Sequence, residues 1–157
     1  MHILIYMKIE IINVEWTPGI NLIKDPKELK DFEEFVALKY IENVRRYVDK
    51  QIKRWVPLSV RYLEYKKSKG LSLKTWEATG ELMKGLKFDK RKRAVTFDKR
   101  RRHKMSGLPY MTIARSNEYG DLNHPPRPLF RPIYLLMRKN IRRYYREFLR
   151  EKGVAIK

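Results

Sequence analysis

At 157 residues, 43% hydrophobic and 12% aromatic, the chain is long enough for one real core and too apolar for global disorder. It has no cysteine, which excludes disulfides and thiolate metal sites, and no apolar run approaches the roughly 20 residues of a membrane helix. With 37 Lys and Arg against 18 Asp and Glu, the net charge is +19, which favours a polyanionic partner: nucleic acid, an anionic membrane or an acidic protein.

One domain over residues 1–157 is expected from the length. The N-terminal stretch MHILIYMKIEIINVEW is apolar but alternating, with Ile3, Ile5, Met7, Ile9 and Ile11 on one face. That period predicts a half-buried strand over 3–15 rather than a signal peptide, and so a soluble, non-exported protein. Pro18 and Gly19 then predict a turn. Asp25 before Pro26 predicts a helix start. Leu29, Phe32, Val36 or Ala37, Ile41, Val44, Val48, Ile52 and Trp55 recur at steps of three and four. They predict one long amphipathic helix over about 26–55, stopped by Pro57.

The segment PLSVRYLEYKKSKG predicts a short helix ending near Gly70, and Glu81 to Gly85 one helical turn. Residues 91–98 (RKRAVTFD) and 108–118 (LPYMTIARSNE) both favour strand. Together they predict a hairpin whose tip, about 98–107, is long and basic. From Lys84 to Lys104 there are eleven basic and two acidic residues. After the prolines at 125–132, Ile133, Leu136 or Met137, Ile141, Tyr144 and Phe148 predict one terminal helix, with Gly153 as its cap. The expected fold is α+β: a small antiparallel sheet packed against one long amphipathic helix, with a C-terminal helix.

Catalytic chemistry is sparse. His2, His103 and His124 lack metal-ligand spacing, and no paired carboxylates, phosphate loop or nucleophile elbow is present. No enzyme, cofactor or metal is expected. A ribonuclease-like His103–His124 pair is the enzymatic alternative. The segment KRKRAVTFDKRRRHK can bind phosphates, or it can be a solvated loop or a docking arm for an acidic neighbour. Aromatics that would stack bases are absent from it, since Phe88 and Phe97 fit a strand. Tyr40, Tyr47, Tyr144, Tyr145, Trp55 and Trp76 fit core or interface packing.

Three stretches, in order, resemble a known group. They are VDKQIKRWVPLSVRYLEYKKSKG, then LKTWEATGELMKGLKF, then ARSNEYG followed by PPRPLFRP and a helix. The order is similar to that of the small head–tail joining proteins of long-tailed bacteriophages, the neck or tail-completion group that includes the phage virion morphogenesis proteins. Pro57, Leu58 and Ser59 match the group's pro-leu-ser segment. Thr79, Gly80 and Leu82 match its thr-gly-x-leu turn. Glu118, Tyr119 and Gly120 match its strand end, and Pro126, Arg127, Pro128 and Leu129 its proline corner. The basic run at 99–104 and the N-terminal strand depart from the pattern. The resemblance implies a structural virion protein at the head–tail junction. It implies a homo-oligomeric ring that contacts other neck and tail proteins, and DNA in the channel. A sequence-nonspecific nucleic-acid-binding protein is the alternative.

The expected contact residues are Lys99, Arg100, Arg101, Arg102 and Lys104 in the basic tip, with Arg127 and Arg131 in the corner. Arg127, between two prolines, is expected to pair with Glu118 or Asp121 of its own subunit, and Arg131 to face an interface. Pro57, Thr79, Gly80, Glu118, Tyr119, Gly120, Pro126 and Pro128 are expected to hold the motifs in shape.

Overall fold

The computed structural model describes residues 7–16, 23 and 25–155. The fold is α+β, a four-stranded sheet with six helices around it. Strands β1 (Met7–Ile9) and β2 (Val14–Trp16) form one antiparallel hairpin, and β3 (Leu86–Asp89) and β4 (Ala94–Phe97) another. The sheet order is β2-β1-β4-β3, and β1 runs parallel to β4, with Lys8 opposite Ala94. The sheet is therefore mixed rather than wholly antiparallel. All four residues of β4 are buried, as expected of a central strand covered on both faces.

The N-terminal alternation is not one strand. A turn at residues 10–13 folds it back on itself, with Asn13 in the left-handed region at φ 49°. Asn tolerates that conformation better than most residues. The apolar pattern runs through the turn because Ile11 and Ile12 are buried there too. Ile3, Ile5, Pro18 and Gly19 lie outside the described residues.

Helix α1 (Pro26–Asp49) starts as expected. Asp25 is its N-cap and accepts from the Lys27 N–H at 2.9 Å, and Pro26 occupies the first turn. Phe32, Val36, Ala37, Tyr40, Ile41, Val44 and Val48 form its buried stripe, against β3, β4 and the C-terminal helices. Each large apolar side chain contributes about 1.5–3 kcal/mol by leaving water. The helix ends well before Pro57. Gln51, at φ 47°, closes it: its N–H bonds Val48 O, and the Ile52 N–H bonds Tyr47 O. This is the paired hydrogen-bond pattern glycine usually supplies at a helix end. The Gln51 side chain also binds both the N–H and the carbonyl of Thr75, so its amide ties the helix end to a distant loop.

Helices α2 (Val60–Ser68) and α3 (Glu81–Lys84) fall where the sequence places them. Ser59 caps α2, accepting from the Tyr62 N–H, and Gly80 opens α3 at φ 77°. The expected 91–98/108–118 hairpin is not formed. β4 pairs with β3 through a short turn, where the Asp89 carboxylate accepts from the Arg91 and Lys92 N–H groups. Residues Tyr110–Tyr119 are helix α4. Thr112 and Ile113 favour strand locally, but Tyr110, Ala114 and Glu118 sit four apart and are buried together. Packing of that stripe overrides propensity. The terminal helix is likewise two: α5 (Phe130–Lys139) and α6 (Ile141–Glu151), broken at Asn140. Gly153, at φ 74°, closes α6 as expected.

A half-buried ion pair ties α1 to the β3–β4 turn. Arg93 binds Glu33 through two nitrogens, at 2.6 and 3.0 Å. Burial outweighs the guanidinium and pushes the Glu33 carboxyl up from its ordinary value.

Candidate functional site

The basic cluster is split between two places. Lys90–Arg93 form the β3–β4 turn, and residues 98–107 are the connection from β4 to α4 rather than a hairpin tip. That connection is folded on itself. The Asp98 carboxylate accepts from the Arg100 N–H, His103 and Leu108 are joined through their backbones, and Arg102 forms a bridge with Pro109. Arg102 also donates through Nη1 to Gly107 O, and Lys104 pairs with Glu81 at 3.1 Å. Lys99, Arg100 and Arg101 are exposed, and their side chains have no ion-pair or hydrogen-bond partner among the described residues. Of the expected tip contacts, these three stand free.

The proline corner is held by several side-chain-to-backbone bonds. Glu118 is 2% exposed, and its carboxylate accepts from the N–H groups of Leu129, Phe130 and Arg131 at 2.6, 2.9 and 2.9 Å. A helix start leaves four N–H groups without helical partners. Here Glu118 satisfies three, and the fourth position is Pro132, which has none to satisfy. The negative charge also sits at the positive end of the helix dipole. Gly120 makes the approach possible. At φ 77° a Cβ there would lie 2.9 Å from His124 O and from Pro126. Tyr119, between them, is exposed.

Arg127 does not pair with Glu118 or Asp121. It is 5% exposed, and its Nε and Nη2 donate to Val56 O and Pro57 O at 2.9 and 3.2 Å. Its backbone carbonyl accepts from the Trp76 indole at 2.8 Å, and Pro128 O accepts from the Trp55 indole at 2.9 Å. The expected carboxylate partners are taken elsewhere: Glu118 by α5, and Asp121 by Ser116, the Asn123 N–H and His124. Those donors hold the Asp121 carboxyl well below the usual carboxylate range. Arg131 is exposed, and only its backbone N–H is engaged among the described residues.

These bonds bring together stretches far apart in sequence. Pro57 to Ser59, then Thr79, Gly80 and Leu82, and from the corner Asp121, Asn123 to Pro125 and Arg127, line one groove of about 670 Å³. Thr79 accepts weakly from the Glu81 N–H at the start of α3. His103 and His124 both reach the groove, but each is engaged locally, with Ser106 and Asp121 respectively. No family model, curated protein or solved structure matches the chain.

Two features escaped the sequence reading. Tyr62 and Tyr65 on α2 are exposed and stacked, ring centroids 6.1 Å apart, beside exposed Arg61, Lys67 and Lys69. Their i, i+3 spacing was the available signal. Lys66 is buried to 2% exposure, with its ammonium donating to Lys74 O and Glu77 O at 2.9 and 2.5 Å. Among so many exposed lysines nothing in the sequence distinguishes it. Burial lowers its pKa.

Proposed function

We propose that the chain is a structural virion protein of the phage head–tail junction, one that makes and breaks no covalent bond. It forms a homo-oligomeric ring through which the DNA-filled head is joined to the tail. The observation that best supports this reading is the convergence at the corner. Of the three stretches that resemble the tail-completion group, the last lies tens of residues beyond the other two, yet it hydrogen-bonds both of them through Arg127, Trp55 and Trp76. A constellation of that kind explains why such short motifs would travel together in a sequence. Free Lys99, Arg100 and Arg101 and exposed Arg131 are the contacts offered to neighbouring neck and tail proteins or to channel DNA.

The test is electron microscopy of particles assembled without this chain. Filled heads beside finished but unattached tails are the expected result; intact virions would remove the joining role. A second reading, sequence-nonspecific binding of single-stranded nucleic acid, is favoured by the stacked Tyr62–Tyr65 pair on its basic helix. It predicts oligonucleotide affinity that falls steeply with salt and is lost in a Tyr62→Ala, Tyr65→Ala double variant.

A further inference from the structure

Helix α6 turns an apolar face to the core and a basic one to solvent. Tyr144 and Phe148 are buried, and the Phe148 ring packs on Phe32 and Phe35 of α1, centroids 5.3 and 5.6 Å away. That packing fixes which side looks outward. From Arg138, near the end of α5, to Arg150, every exposed residue is basic: Arg138, Lys139, Arg142, Arg143, Arg146 and Arg150. Arg143 is engaged, with Glu147 at 3.6 Å and with the Tyr144 hydroxyl. The side chains of the other five have no ion pair or hydrogen bond among the described residues. The two carboxylates of the helix are both taken by cations outside this free set: Glu147 by Arg143, and Glu151 by Lys39 of α1 at 3.7 Å.

The placement also runs against the preference of the helix. Its first turn carries no acid, although the dipole favours one there, and Arg142 stands in that turn without a contact to offset it. Arg142, Arg146 and Arg150 recur at steps of four, so they share one face, each about 6 Å further along the axis than the last. A regular row of accessible cations is what a phosphate backbone pairs with.

We propose that this face of α6 binds the phosphate backbone of a nucleic-acid duplex without regard to sequence, with Arg142, Arg146 and Arg150 each contacting a phosphate. Other polyanions fit it less well. Unpaired bases need aromatic rings to stack on, and the exposed residues of this face include none. A bilayer needs the apolar face of the helix, which the core already holds. A protein partner is anchored by apolar or aromatic side chains at the centre of its interface, and none of the exposed residues from Arg138 to Arg150 is apolar. The binding belongs to the single chain in solution and does not depend on a role in the virion.

The test is fluorescence anisotropy of the whole chain with a labelled mixed-sequence DNA duplex about two turns long, over a series of salt concentrations. Unlabelled polyglutamate serves as the competing polyanion. The wild type is expected to bind the duplex with an affinity that falls steeply with salt. The variant with Arg142→Gln, Arg146→Gln and Arg150→Gln is expected to bind at least about tenfold more weakly, with a salt slope shallower by about two to three. Its melting temperature should not change, since these side chains have no partner to lose among the described residues. Arg146→Gln alone should flatten the slope by about one. A variant with Lys99→Gln, Arg100→Gln and Arg101→Gln removes the same charge elsewhere and should weaken binding far less. No duplex binding at physiological ionic strength, equal weakening by the two triple variants, or displacement of the duplex by an equal charge of polyglutamate overturns the proposal.

Discussion

Replacing Glu118 with glutamine tests whether the corner is held by this one carboxylate. Gln has nearly the same shape, so no cavity forms. The amide oxygen can still accept from Leu129 and Phe130, both of which now bond Oε2. The amide nitrogen then faces the Arg131 N–H, two donors with no acceptor between them. An orphaned, largely buried N–H costs about 1–3 kcal/mol, and losing a charge at a helix N-terminus up to about 2 kcal/mol. The expected loss is about 2–4 kcal/mol, a fall in melting temperature of roughly 4–16 °C for a chain of this size. Urea unfolding followed by circular dichroism reads it as a lower midpoint with an unchanged slope. A loss below about 0.5 kcal/mol would refute the reasoning and leave the prolines alone as the source of the corner's rigidity.

Gly120→Ala should cost about 2 kcal/mol or more, because the position combines a left-handed φ with backbone 2.9 Å from any Cβ; thermal unfolding reads this. Arg127→Lys keeps the charge but cannot span Val56 O and Pro57 O together, so a loss of about 1–3 kcal/mol is expected in the same assay. Asp121 carries a depressed pKa, so its contribution is present above its ordinary value of 3.8 and fades as pH falls below it. The stability gap between the wild type and Asp121→Asn should therefore be constant near neutrality and shrink in urea titrations near pH 3. Changing Arg100 and Arg101 to Glu, both exposed and without an ion-pair partner among the described residues, should leave the unfolding curve unchanged while blocking the proposed head–tail joining; full infectivity would take this segment out of the mechanism.

Helix-scale periodicity was legible where burial followed a single face. α1, α2 and α3 lie at the expected places, and the Asp25 and Gly153 caps are where the residue types put them. Errors arose where local preference and packing disagree. Thr112 and Ile113 favour a strand, but the stripe from Tyr110 to Glu118 faces the core as a helix. The helix end at Asp49 was missed because a glutamine, not a glycine, occupies the left-handed position, and its side-chain bonds to Thr75 cannot be read from neighbours in sequence. The corner was half legible. Its prolines announce rigidity, but Arg127 was assigned to nearby carboxylates that α5 and the Asp121 turn had already claimed. Pairing that depends on who else competes for an acceptor is a property of the folded state.

The parallel pairing of β1 with β4 has a consequence for how the chain reaches this state. Each hairpin closes over a handful of residues, so both can form within microseconds of their synthesis. The seam between them cannot. Lys8 meets Ala94 only after the chain through β4 has been made, and α1 to α3 lie within the loop that must close. That closure spans a far longer loop than either hairpin turn, so its chain-entropy cost is larger and it is expected to follow them. Until it occurs, the inner edges of β1 and β4 are both open, and a second copy of either hairpin could occupy the place of the first. On a ribosome the N-terminal hairpin waits longest in that exposed condition, so its burial is timed by the arrival of residues 94–97.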